Sequence, residues 1–162
     1  MKKFLIVSIL SAGMGLGLMQ QPTVAAPLKT TITTAVANVH PTEAKYDKIM
    51  EKYANGLKGA FAEKDDKKTV AMVNKINDEL VVEIGKIKPE LERWVKGLTE
   101  QDKEALEQRM GNKAYLKTIF EIMFDPEIGK RIEQNPELKK AIEAGSQRMQ
   151  ALGFEGSEED ID

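Results

Sequence analysis

Beyond Pro41, apolar side chains recur every three or four residues, which is the spacing of a helix with one buried face. Tyr46, Ile49, Met50, Tyr53, Leu57, Ala60 and Phe61 form the first such stripe and predict a helix over about 42–63. Gly56 and Gly59 fall inside it, each costing roughly 1 kcal/mol relative to alanine. Either the helix breaks near Asn55-Gly56 or the glycines admit a close neighbour. The charged run from Glu63 to Lys68 then reads as a turn, with Asp65 or Asp66 as the cap of the next helix.

Val70, Val73, Ile76, Leu80, Ile84 and Ile87 make a second stripe. Pro89 has no N–H and its ring crowds the preceding turn, so it is expected to end or kink this helix. A short apolar segment with Leu91, Trp94, Val95 and Leu98 follows, and Gly97 reads as a left-handed stop. Thr99 suits the cap of a helix over 100–110, with Glu100 and Asp102 in the first turn and Gly111 at the end. From Lys113 to Phe124 apolar residues occupy most faces, which predicts a central helix surrounded by others.

The stretch FDPEIGKRIEQNPELKKAIEA, Phe124 to Ala144, contains one phrase twice: Asp125-Pro126-Glu127-Ile128 and Asn135-Pro136-Glu137-Leu138. Asp and Asn side chains accept hydrogen bonds from free N–H groups, proline fits the first helical position, and glutamate suits the positive end of the helix. Each copy therefore marks a helix start, with one short helix of about two turns between them. The last helix is expected over 136–152, with Gly153 as its stop and Phe154 folded back onto Met149. The fold class is all-α: a single-domain bundle of six or seven mostly antiparallel helices, several of them short, with no sheet.

Two resemblances rest on these helix starts. The paired Asx-Pro-Glu phrases resemble the short-helix repeats of eukaryotic co-chaperones and ubiquitin shuttle proteins, whose helices cup an apolar client groove. Leu98-Thr99-Glu100-Gln101 resembles the Leu-Thr-x-x-Gln motif of a family of periplasmic stress chaperones, with Gln101 one residue early and a single copy present. Both resemblances imply client binding.

The N-terminal end changes the picture of where the protein works. Lys2 and Lys3, an apolar run from Phe4 to Met19 and the small residues of Thr23-Val24-Ala25 form the pattern of a cleaved signal peptide over 1–25. The apolar run is shorter than a bilayer span needs. Residues 26–41 read as an extended or disordered linker, 42–154 as the helical domain and 155–162 as an acidic tail. The expected location is the periplasm or the exterior. With no cysteine, stability must come from the core alone. A mature chain of about 137 residues can bury roughly two-thirds of its unfolded surface.

The whole chain carries a net charge of −2, and losing Lys2 and Lys3 with the signal makes it more negative. Charges of both signs are interspersed, so no basic stripe suits nucleic acid. No stable membrane insertion is expected once the signal is removed.

Catalytic chemistry is sparse. His40 is the sole histidine and falls in the linker, which argues against histidine-based metal sites and Ser-His or Cys-His catalysis. No glycine-rich phosphate loop is present. The chain reads as a non-enzyme without cofactor or metal. A carboxylate pair acting on an envelope polymer is one alternative function, and a carrier holding a small apolar ligand near Tyr53, Leu80 and Phe120 is another. The leading expectation is an exported protein-binding module, chaperone-like or inhibitor-like, whose partner is another protein. Its surface would be an apolar groove of the C-terminal helices built from Trp94, Phe120, Met123, Phe124, Met149 and Phe154.

Overall fold

The computed structural model describes residues 39–152. The expected signal peptide, residues 26–38 of the linker, Gly153, Phe154 and the acidic tail lie outside them. Among the described residues the chain forms six helices and no strand: α1 Pro41–Ala62, α2 Asp66–Lys96, α3 Glu100–Gly111, α4 Ala114–Met123, α5 Pro126–Gln134 and α6 Pro136–Ala151. The all-α bundle expected from the periodicity is the fold, and no described helix is long and apolar enough to cross a membrane.

Every helix but α4 begins on a side-chain cap. Asp65 accepts the Lys68 N–H at 3.0 Å and starts α2. Thr99 accepts the Asp102 N–H at 3.2 Å and returns its hydroxyl to Asp102 Oδ2 at 2.7 Å, starting α3. Asp125 Oδ1 accepts the N–H groups of Glu127 and Ile128 at 2.8 and 3.2 Å. Asn135 Oδ1 does the same for Glu137 and Leu138 at 3.1 and 3.0 Å. The repeated phrase is thus one capping device used twice. Pro41, placed at the end of the linker by sequence, is instead the first residue of α1, and His40 is its cap.

α1 and α2 lie antiparallel, as their short connection demands. Lys45 pairs with Glu90 at 2.6 Å near one end, and Lys52 pairs with Glu79 at 2.8 Å further along. The glycines do not break α1. A Cβ on Gly56 would come within 3.1 Å of Ile76 Cγ1, so this glycine lets α2 approach.

Pro89 does not end α2, which runs unbroken to Lys96. An interior proline costs about 3 kcal/mol. Beyond it, Leu91 and Val95 are both buried, and such a side chain gains about 1.5–3 kcal/mol on full burial. Packing therefore outweighs the local penalty, and Pro89 itself sits on the exposed side. Gly97 is not a left-handed stop either. Its φ of −84° and ψ of −7° are right-handed, and its N–H donates to the carbonyls of Arg93 and Trp94.

Two apolar clusters hold the bundle. The larger joins Tyr46, Met50 and Ala54 of α1, Leu80, Ile84 and Leu91 of α2, Leu106 and Met110 of α3, and Tyr115 and Leu116 of α4. The smaller joins Ala60, Val73, Leu138 and Ala141. α4 is not the surrounded helix expected from its composition. It buries Tyr115, Leu116 and Ile122 on one face, while Lys117 and Glu121 face solvent and Phe124 follows at 71% exposed.

α6 runs in the same sense as α2. Contacts advance together, from Val73 with Leu138, through Asn77 with Ala141, to Asp78 with Arg148. Buried Asn77 donates to the Ala141 carbonyl at 3.0 Å. Gly145 makes room for it, because a Cβ there would fall 2.4 Å from Asn77 Nδ2. α5 has no buried residue and is tied down by Arg131. That guanidinium reaches Asp66 Oδ1 at 2.7 Å, Thr69 Oγ1 at 2.8 Å and the Phe61 carbonyl at 3.4 Å.

Candidate functional site

The apolar surface expected from sequence resolves into distinct environments. Phe120 and Phe124 come together at the end of α4, one helical turn apart, with ring centroids 6.1 Å apart and planes at 28°. The Phe124 N–H donates to the Phe120 carbonyl at 2.9 Å. Phe124 then stands at the α4–α5 corner, where the Asp125 cap turns the chain into the next helix, and its ring is left outside the core. Both rings border an open hollow of about 520 Å³, lined also by Gly111, Asn112, Lys113, Lys117 and Glu121. Apolar faces and a mixed-charge rim thus occur side by side.

The remaining residues of the expected groove are placed differently. Met123 is half-buried. Met149 packs against the larger core cluster, as do Tyr53 and Phe120, and Leu80 is one of that cluster's buried members. Trp94 also packs on that cluster, and His40 stacks on its indole at 5.0 Å and 6°. Phe154 lies outside the described residues. Phe120 and Phe124 are the two members of the expected groove that line the hollow.

A charged cluster beside the hollow escaped the sequence reading, which noted only that charges of both signs are interspersed. Glu43 is buried, with its side chain 1% exposed. It accepts from Arg109 Nη2 at 3.1 Å and from Lys113 Nζ at 3.2 Å. Lys113 also reaches Asp47 at 2.5 Å, and the Tyr115 hydroxyl donates to Asp47 at 3.2 Å. Burial pushes the Glu43 carboxyl up, but the hydrogen bonds and charges of Arg109 and Lys113 outweigh it and hold the group below its ordinary value of 4.5. Burial likewise works against the charge on Lys113, yet Asp47 and Glu43 keep its amine above the ordinary lysine value. Burial, then Tyr46 and Asp47, push the Tyr115 phenol upward.

Two acidic groups thus lie together, but both are paired with cations. Glu43 is held in its ionised form by Arg109 and Lys113, the opposite of what a carboxyl donating a proton to a leaving group requires. The cluster's evident work is to fasten the α3–α4 connection to the start of α1. Among the described residues no three of His, Cys, Asp and Glu are grouped so as to hold a metal ion.

Two signals in the chain could have revealed these residues. Glu43 and Asp47 are four apart and flank Tyr46 and Met50 of the buried stripe, which places them at the edge of the packed face. His40-Pro41-Thr42-Glu43 is a third helix start with proline at the first position, masked because histidine is not an ordinary cap. No family model, curated protein or solved structure matches the chain. Thr99, Asp125 and Asn135, which carry the two motif resemblances, are the caps of α3, α5 and α6.

Proposed function

We propose that this protein is an exported helical module that binds another protein, in a chaperone-like or inhibitor-like role and without a cofactor, through the Phe120–Phe124 face. The observation that carries this reading is Phe124, a phenylalanine 71% exposed at the rim of a hollow. Exposing an aromatic ring forgoes about 25 cal/mol for each Å² of apolar surface left in water. A partner side chain seated against Phe124 and Phe120 recovers that free energy, and aromatic residues, phenylalanine included, are enriched at the core of protein interfaces. Lys117 and Glu121 supply the polar rim that orients such a contact. The signal-like N-terminus supports action in the periplasm or outside the cell.

The test uses a reduced, permanently unfolded model protein as client, with binding followed by fluorescence anisotropy. Phe124→Ala is expected to weaken client binding about tenfold or more, with an unchanged urea midpoint. Val82→Ala removes another exposed apolar side chain, 54% exposed on α2, and is expected to leave binding as it was. Equal binding by Phe124→Ala and the unaltered protein would show that this face is not the contact.

A further inference from the structure

The outward stripe of α4 and its cap reads Ala114, Lys117, Glu121 and Phe124, and all four are exposed. Steps of three and four residues keep them on one side of the helix. Their order is small, basic, acidic, large. Turned end for end about a two-fold axis between Lys117 and Glu121, the stripe meets its own complement. Lys117 falls opposite Glu121 of the partner subunit, Glu121 opposite Lys117 of the partner subunit, and Phe124 opposite Ala114 of the partner subunit. The relief suits this as well as the charge. Phe124 is the projecting ring, 71% exposed. The far end of the hollow beside it is bordered by Gly111, where nothing lies within 4 Å of the Cβ position. Ala114, with only a methyl group, stands next to that end. Knob and recess thus occur on one surface, separated by the length of α4, about 15 Å.

We propose that the α4 face is the contact between two copies of this chain, paired antiparallel about a two-fold axis. Resting on the reading of this face as a protein contact, the pairing names a second copy as its occupant. A closed pair needs one patch complementary to itself, and this stripe is so in charge and in size. Within one chain Lys117 and Glu121 are loosely engaged. Lys117 Nζ lies 3.9 Å from Glu121 Oε1, with the side chains 81% and 65% exposed. Lysine preceding glutamate is also the weaker order for such a pair on a helix. Both charges therefore remain available across the axis. Lys113 is committed to Glu43 and Asp47, which leaves the stripe with one free charge of each sign. A wholly acidic or wholly basic partner would be repelled by one of them, whereas a second copy matches both. One short helix face is small against the roughly 1,200 Å² that stable interfaces bury, so the pair is weak and exchanges. It covers Phe124, so a client and a second copy compete for the same ring.

Sedimentation velocity of the full chain at rising concentration tests the pairing. The unaltered protein is expected to move from monomer towards dimer. Lys117→Glu makes the stripe doubly acidic and Glu121→Lys makes it doubly basic, so either variant alone is expected to associate about tenfold more weakly or worse. An equimolar mixture of the two is expected to regain association, because an acidic stripe then faces a basic one. Recovery in the mixture also excludes misfolding as the cause of the single losses. An unaltered protein that stays monomeric up to about 1 mM, variants that associate as it does, or a mixture no more associated than its parts would overturn the proposal. No client is present in this experiment, so its failure leaves client binding standing, and equal client binding by Phe124→Ala leaves the mixing result in place.

Discussion

Gly145 and Gly59 show how one residue type carries opposite consequences in the same fold. A methyl group on Gly145 would lie 2.4 Å from Asn77 Nδ2 and 2.6 Å from its Cγ. Gly145→Ala must therefore displace a buried amide and break its bond to Ala141, a loss of about 1–3 kcal/mol. Gly59 has nothing within 4 Å of the corresponding position and sits exposed in α1. Gly59→Ala is expected to stabilise by about 0.5–1 kcal/mol through helix propensity alone. Urea unfolding of the two variants checks both signs. The sequence marks each as a glycine in a helix. What separates them is Asn77, which meets Gly145 from another helix far along the chain.

Helix starts were legible because capping is local: Asp65, Thr99, Asp125 and Asn135 act on N–H groups two or three residues away. The passage of α2 through Pro89 was not, because what sustains it is the burial of Leu91 and Val95 against other elements. The fastening of α1 to the α3–α4 connection by Glu43 is equally non-local. It sets a pH dependence whose sign follows from the shift. A carboxyl held below its ordinary value of 4.5 in the folded state contributes stability above that value and loses it as pH falls through the folded-state titration. Unfolding free energy is therefore expected to drop between pH 5 and more acidic solution. In Glu43→Gln the stability at pH 7 is lower and this part of the acid dependence is gone. Urea titrations of both proteins at pH 7, 5 and 3.5 measure it. Equal acid slopes would remove Glu43 from the account.

The whole molecule is built on α1 and α2, which thread both apolar clusters. Leu138 is fully buried in the smaller one, and Leu138→Ala is expected to cost about 2–5 kcal/mol. Trp94 belongs to the larger cluster. If the bundle unfolds as one unit, Trp94 fluorescence and far-ultraviolet circular dichroism shift to the same lower midpoint in this variant. A dichroism midpoint that moves while the Trp94 midpoint stays would divide the bundle into two cooperative units. The apolar face at Phe124 is also a property of this scale. Its sequence neighbours predicted an enclosed helix, and the packing of α4 on α1 leaves that end uncovered.

By itself the sequence determined the helical class, the element boundaries at capped starts and the residues of the two main stripes. Each of these follows from interactions within a few residues along one helix. Tertiary structure alone decided that α2 continues through proline and that α6 runs with α2 behind Asn77. It also decided that Glu43 is buried among cations, that His40 rests on Trp94 and that Phe124 is left in solvent. Those outcomes depend on which faces meet across the bundle. Helical period shows that a face is apolar, and packing between distant segments decides what covers it.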